Sequence, residues 1–291
     1  MSAIAVVGGR TQSVGRGRSR VRRWWAGAIL AAVALLFVLP FFWVLAHSLE
    51  TSAEWHTGAV TFWPSHMTFG NYFQIIVQDD FLENLLASIV VSSITTAITL
   101  VLSSLAGYAL ARLPVRARGA ILAFVILAGF FPIMAMMGPL FLMYRNLHLL
   151  NNWLGVSIAD LIYTLPLCTW LLAGLFAQLP AEIEEAAMVD GCSRLRAMWH
   201  VVVPLAAPAI ATAGIFSFIL SWSDFAFSLA FLQSTSRYTA PLAIIWNSTS
   251  KYTTYFNVLD AMVIVTSLPI IVLVLFAQRR IVSGLTTGAV K

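Results

Sequence analysis

Six long apolar stretches, nearly without charge, constrain this chain more than anything else in it. They run from about Trp24 to Ala46, Leu85 to Leu110, Ala120 to Met143, Leu154 to Phe176, Leu205 to Leu232 and Val258 to Ala277. Each has at least about 20 residues, the number a helix needs to cross about 30 Å of hydrocarbon. In lipid the backbone must satisfy its own hydrogen bonds, so runs of this length are expected as continuous helices. The chain is 60% hydrophobic and only 10% charged, which excludes a soluble domain, where roughly 25% of residues carry charge. It also excludes disorder, which needs the opposite balance. The expected fold is all-α: a polytopic membrane protein with six transmembrane helices over 24–277, a basic tail over 1–23 and a short tail over 278–291. Nothing is left over for a soluble catalytic domain.

The first stretch follows arginines, as a secretory signal does, but its apolar part is about twice the usual length and lacks a small-residue cleavage site. It is read as an uncleaved span. Loop charges then orient the chain. With the N-terminus in the cytoplasm, the inner segments hold Arg10, Arg16, Arg18, Arg20, Arg22 and Arg23, then Arg112, Arg116, Arg118, Arg194, Arg196, Arg279, Arg280 and Lys291. The outer loops hold only Arg145, Arg237 and Lys251. This bias places both termini in the cytoplasm.

The basic tail, set among Gly and Ser, reads as a segment lying against anionic membrane lipid. No aromatic-interleaved basic module follows it, so no nucleic acid is expected. Cys168 and Cys192 make no disulfide framework, and the five scattered histidines give no zinc spacing, so no metal is expected. The first outer loop carries Glu50, Glu54, Asp79, Asp80 and Glu83 with no basic residue. It reads chiefly as solvated surface, with contact to an external partner as the alternative.

The inner connection between the fourth and fifth spans, 178–204, has helical texture instead of loop texture. Pro180 suits a helix start, and Glu182, Glu184 and Glu185 complement the dipole of the first turns. Gly191 is placed to end the helix in a left-handed conformation. Leu195, Met198, Trp199 and Val202 then recur at helical spacing as a one-sided apolar stripe. The acidic face and the small residues Ala186, Ala187 and Gly191 suggest a docking element at the cytoplasmic surface. An interfacial helix lying on lipid is the blander reading, and its acidic first half argues against it.

Glu185-Ala186-Ala187, then Gly191, then Val201, Val203 and Pro204 resemble the EAA signature of permease subunits of bacterial ATP-binding-cassette importers. The resemblance implies the type I importer permease fold, with this segment as the coupling helix that seats in a cleft of a cytoplasmic ATPase. Glu184, Glu185, Ala186, Ala187, Asp190, Gly191 and Pro204 become the expected coupling residues. Thr68-Phe69-Gly70-Asn71-Tyr72, Ser221-Trp222-Ser223-Asp224-Phe225 and the ending QRRIVSGLTTGAVK look like the carbohydrate branch of that family, its maltose-type second permease in particular. Ser223 departs from the asparagine usual there, which puts any carry-over of that residue's role in doubt.

The chain has no phosphate-cradling Gly-Lys-Ser/Thr loop, so it is expected to be no enzyme and to bind no cofactor of its own. ATP and magnesium belong on partner subunits. The partners implied are a second permease, two cytoplasmic ATPase subunits and an external substrate-binding protein, in the bacterial inner membrane. Asp160, Asp224 and Asp260 lie in or near spans, where a carboxylate is costly and faces protein or water. Asp160 and Asp260 are expected near outer ends, as interface residues. Trp222, Ser223 and Asp224 are the candidates for a sugar pathway, an indole stacking on C–H faces and a carboxylate accepting hydroxyls, with helix packing as the alternative. Ser92, Ser93, Thr95, Thr96, Ser103 and Ser104 are expected to support packing. A sugar, a disaccharide such as maltose or trehalose, is the expected cargo. A permease for another solute such as glycerol phosphate shares the coupling signature, and a secondary transporter is disfavoured because no half-sequence repeat is visible.

Overall fold

The computed structural model describes residues 16–55, 63–250 and 255–287, with side chains described between 24 and 278. The basic tail, Lys251 and the end of the C-terminal tail therefore lie outside or at the edge of what is described. Among the described residues the architecture is helical, the only β-pairing being an isolated bridge between Glu50 and Met67.

Four helices are long and apolar enough to cross a membrane, and six spans result if each of two bent pairs is counted as one. The four are α1 (Arg16–Ser48), α2 (Phe81–Arg112), α5 (Trp153–Phe176) and α11 (Phe256–Thr287). Between α2 and α5 lie α3 (Arg118–Gly129) and α4 (Ile133–Asn146), bent by 84°. After α5 come α6 (Ala181–Val189) and α7 (Arg194–Leu205), then α8 (Ala207–Trp222), bent by 80° from α7. The short α9 (Ala226–Phe231) and α10 (Ala240–Ser250) precede α11.

The sequence reading of continuous third and fifth spans is thus corrected. Pro132 sits in extended backbone just ahead of α4 and disfavours helix at Phe131, so the third stretch breaks there. The fifth stretch ends its helix at Trp222 and resumes at Ala226 after a three-residue break. At the start of α8, Pro208 has no N–H to give to the carbonyl of Pro204, and the chain turns at Ala206.

The interior is built on a seam between α2 and α5. Gly107 lets the two backbones meet: a Cβ there would lie 3.0 Å from the Ala173 nitrogen. Hydroxyls stitch the same seam, Thr99 to Thr164 at 2.8 Å and Ser157 to the Val91 carbonyl at 3.2 Å. This is how membrane helices associate, through small residues and hydrogen bonds in place of a hydrophobic drive. Helix α8 closes the bundle against both, and α1 packs along α11.

At the end of the bundle opposite α6, Asn71 donates to the carbonyls of Ser48 and Glu50, each at 2.9 Å, and Asn257 donates to Glu50 at 3.1 Å. Tyr72 Oη meets Ser48 Oγ at 2.6 Å. The Asn-Tyr pair in the sequence is therefore a clamp that ties the end of α1 to the start of α11. In the same region Glu54 accepts from the backbone N–H groups of Ser65 and His66, which holds its carboxyl below the ordinary carboxylate range.

Candidate functional site

The 178–204 segment forms two helices joined by a tight turn. Pro180 caps α6 in extended backbone and Gly191 takes φ +90°, the left-handed conformation that ends it. The N–H of Gly191 bonds Met188 O at 3.1 Å and that of Cys192 bonds Ala187 O at 3.0 Å, so the last carbonyls are satisfied. Ser193 then caps α7 by accepting from Arg196 N.

The acidic residues of α6 divide into two jobs. Glu184 is buried; Tyr108 Oη donates to its carboxylate, and Arg112 Nε lies 3.6 Å from it. Arg112 also donates to the carbonyl of Leu179 at 2.6 Å. The C-terminal end of α2 thus braces α6 from behind. Glu182, Glu185, Ala186, Asp190 and Gly191 face outward, Ala187 is half-buried and Pro204 is exposed. Of the expected coupling residues, Glu184 alone points into the protein.

The apolar stripe expected of α7 is split. Met198 and Val202 are buried, whereas Leu195 and Trp199 stay exposed. A π-helical turn over Met198–Val202 widens the helix and shifts the phase that an ideal 3.6-residue repeat assumes. Together with Ile183 and Val189, which is 86% exposed, these side chains give the acidic element an uncovered apolar surface.

Tyr108 and Arg112 were not singled out in the sequence. Their i, i+4 spacing at the end of a span is visible there, but Glu184 lies 76 residues beyond Tyr108, and no local pattern links them.

The expected pathway trio is placed at the break between α8 and α9. Trp222 is buried and stacks on Phe218, ring centroids 5.7 Å apart. Asp224 is also buried, and its two oxygens accept from the N–H groups of Phe227 at 3.2 Å and Ser228 at 2.9 Å, capping the start of α9. Ser223 is exposed. Trp222 and Ser223 edge a groove of about 550 Å³ whose other walls, Phe41, Ile244, Val263 and Ile270 among them, are chiefly apolar. Trp222 is thus packed and Asp224 hydrogen-bonded at the break, and Ser223 is the most accessible of the three.

Asp160, expected as an interface residue near an outer end, lies about two turns into α5 and is wholly buried. Its carboxylate accepts from Ser221 and from Tyr163 Oη at 2.8 Å, with Thr95 Oγ1 at 3.5 Å. Donors from α2, α5 and α8 converge on it, so it joins three helices. Asp260 is half-buried near the start of α11. No group of three or more metal-ligating side chains occurs among the described residues.

Comparison with known proteins places this arrangement. Residues 100–287 match the family model described as the binding-protein-dependent transport system inner membrane component. The chain is 37% identical to a sulfoquinovosyl glycerol transport system permease of Agrobacterium fabrum over 90% of its own length and 92% of the relative's. It is 37% identical to a trehalose transport system permease of Mycobacterium tuberculosis, covering 87% and 92%. Against a trehalose/maltose transport system permease of Thermococcus litoralis it is 33% identical, covering 91% and 95%. Among solved structures, a chain of a bacterial ABC transporter involved in alginate import superposes with a TM-score of 0.74 at 23% identity, covering 90% of this chain and 97% of that one. A chain of an alginate ABC transporter in complex with an alginate-bound periplasmic protein superposes with a TM-score of 0.66 at 14% identity, covering 89% and 94%. The fold, the EAA segment and the length of these matches agree, and the chain belongs to the family of inner-membrane permease components of binding-protein-dependent transport systems.

Proposed function

We propose that this chain is one permease subunit of an ATP-driven importer that moves a sugar, such as trehalose or maltose, into the bacterial cytoplasm by alternating access. It pairs with a second permease and stands on two ATPase subunits that carry ATP and magnesium. It receives its cargo from an external binding protein. Both termini lie in the cytoplasm, as the distribution of arginines requires.

The observation that carries this reading is the geometry of α6. A nine-residue helix, entered at Pro180, closed at Gly191 and braced from behind by Tyr108 and Arg112, turns Glu185, Ala186 and Val189 outward. A rigid helix of this kind transmits a push from a partner to α2 and, through the bend at Ala206, to α8. The coupling residues are Glu185, Ala186, Ala187, Asp190 and Gly191 at the contact, with Glu184 as their internal anchor and Pro204 at the joint. The breaks at 130–132 and 223–225 supply places where a span bends without losing interior helix bonds.

Relatives at equal identity handle trehalose in one case and sulfoquinovosyl glycerol in another, which supports a sugar or glycoside as cargo. Ser223, on the open groove, is proposed to face the pathway, with Trp222 and Asp224 shaping the break behind it.

The test is vanadate-sensitive uptake by the reconstituted complex, using radiolabelled trehalose, maltose and a sulfoquinovosyl glycoside in parallel. A variant combining Glu185→Ala and Gly191→Pro is expected to lose both uptake and ATPase association. Wild-type levels of both in that variant would refute the coupling role.

A further inference from the structure

Asp160 puts a carboxylate where packing alone does not call for one. It is fully buried on α5, and no basic side chain pairs with it; the ion pairs among the described residues are His47 with Glu50 and Arg112 with Glu184. Hydroxyls alone satisfy it. Ser221 and Tyr163 donate to its two oxygens, the latter at 2.8 Å, and Thr95 Oγ1 lies 3.5 Å away. An apolar side chain of similar size fills such a place without the desolvation penalty, and swaps of that kind are often neutral or stabilising. Stability therefore does not account for the carboxylate, and an ionisable residue inside a span is first of all a candidate for function.

Its bonds reach the break that separates α8 from α9. Ser221 is in the last turn of α8, which ends at Trp222, and the helix resumes at Ala226. Through Oδ2, Asp160 holds the near side of the break at Ser221. Through Oδ1 it holds the Tyr163 hydroxyl, and the Tyr163 ring stacks on Phe227 of α9 with centroids 5.9 Å apart and planes 4° from parallel. Phe227 in turn gives its N–H to Asp224 at 3.2 Å. The far side is thus held as well, and one carboxylate clasps the chain at 221 and at 227. Ser223, exposed on the groove of about 550 Å³, lies between the two anchors. Slipping α8 by one residue turns its side chains by about 100° and moves them about 1.5 Å along the axis, which breaks the bond at Ser221.

We propose that Asp160 is a positioning residue for the cargo pathway, holding both sides of the 223–225 break in register so that Ser223 faces the groove. The proposal rests on the importer reading and adds to it a residue that acts through its neighbours.

The test uses the assembled complex in proteoliposomes with its binding protein, and reads sugar moved per ATP hydrolysed for trehalose, maltose and a sulfoquinovosyl glycoside. Asp160→Leu combined with Tyr163→Phe and Ser221→Ala removes the carboxylate and both donors together, so none of the three is left orphaned. Since α6 is untouched, this apolar variant is expected to keep its thermal midpoint and ATPase activity while the sugar-to-ATP ratio falls about tenfold. Asp160→Asn is expected to stay within about twofold of wild type, because its amide oxygen accepts from one hydroxyl and its amide N–H donates to the oxygen of the other. Parallel loss of midpoint, ATPase activity and uptake in the apolar variant overturns the proposal, since it assigns Asp160 to packing alone. An unchanged ratio overturns it too. Asp160→Asn as defective as the apolar variant also overturns it, for then the charge acts and not the position.

A second readout needs no cargo. In a Cys192→Ser background, Ser223→Cys is expected to react with a small maleimide several-fold faster with the clasp intact than with the apolar changes added, and equal rates overturn the proposal. No uptake of any sugar by the wild-type complex overturns the sugar reading alone, and the thiol rates then decide the clasp.

Discussion

Neighbouring glutamates on one short helix have opposite fates, and the difference is measurable. Glu184 is enclosed with Tyr108 and Arg112, so Glu184→Ala leaves a buried hydroxyl without its acceptor and a mostly buried guanidinium without its counter-charge, holding only the Leu179 carbonyl. Removing one partner of a buried pair costs about 3 kcal/mol or more, and the detergent-solubilised protein is expected to lose several degrees of thermal midpoint. Glu185 faces solvent, and Glu185→Ala is expected to stay within about 0.5 kcal/mol of wild type while losing ATPase coupling. Equal midpoints for the two variants contradict the division between anchor and contact. Gly191 supplies a cleaner case, because a Cβ there meets open space and the only penalty is backbone. With φ at +90°, Gly191→Ala is expected to cost about 1–2 kcal/mol, read in the same thermal assay, where no change contradicts the left-handed cap.

The elements show where sequence periodicity suffices and where it stops. Apolar length locates α5 and the apolar parts of α1, α2 and α11 to within a few residues, since lipid imposes the same demand on every turn, but α1 begins at Arg16 and α11 runs to Thr287, well beyond their apolar stretches. It does not locate the breaks in the third and fifth stretches, because a proline or a capping aspartate changes backbone geometry without changing hydropathy. Pro132 and Asp224 are the signals that mark them. The π-helical turn at Met198–Val202 is less legible still, for nothing in the apolar spacing marks it, and Leu195 and Trp199 stay exposed while Met198 and Val202 are buried. Helix α6 itself is readable from Pro180, the glutamates and Gly191, whereas its brace is not, since Arg112 and Glu184 come together only through the packing of α2 against α5. The joint at Ala206 carries a prediction. Restoring an N–H by Pro208→Ala lets residue 208 bond the carbonyl of Pro204 and straightens α7 into α8. Spin labels at Leu195 and Leu229, both exposed, are expected to move apart by several ångström, and an unchanged distance assigns the 80° bend to packing alone.

At the scale of the whole molecule, α1 stands out. Its face from Trp24 to Phe42 is exposed within this chain, with Trp24 at 79%, and its packing is against α11. A helix so uncovered belongs against lipid or a second subunit. The orientation proposed from the arginines is checked with a membrane-impermeant maleimide on intact cells. A cysteine at Ser65 is expected to react at once, and native Cys192 only after permeabilisation, while Cys168, buried in the bundle, stays unreactive throughout. Prompt labelling of Cys192 in intact cells contradicts the topology. The central claim is that α6 meets an ATPase subunit through its outward face, and Val189, the most exposed large apolar side chain on it, is where to ask. A photo-crosslinking amino acid placed at position 189 in the assembled complex is predicted to yield an adduct with the ATPase subunit, with none from the buried position 198. Adducts at 189 with lipid or the second permease alone would contradict the account.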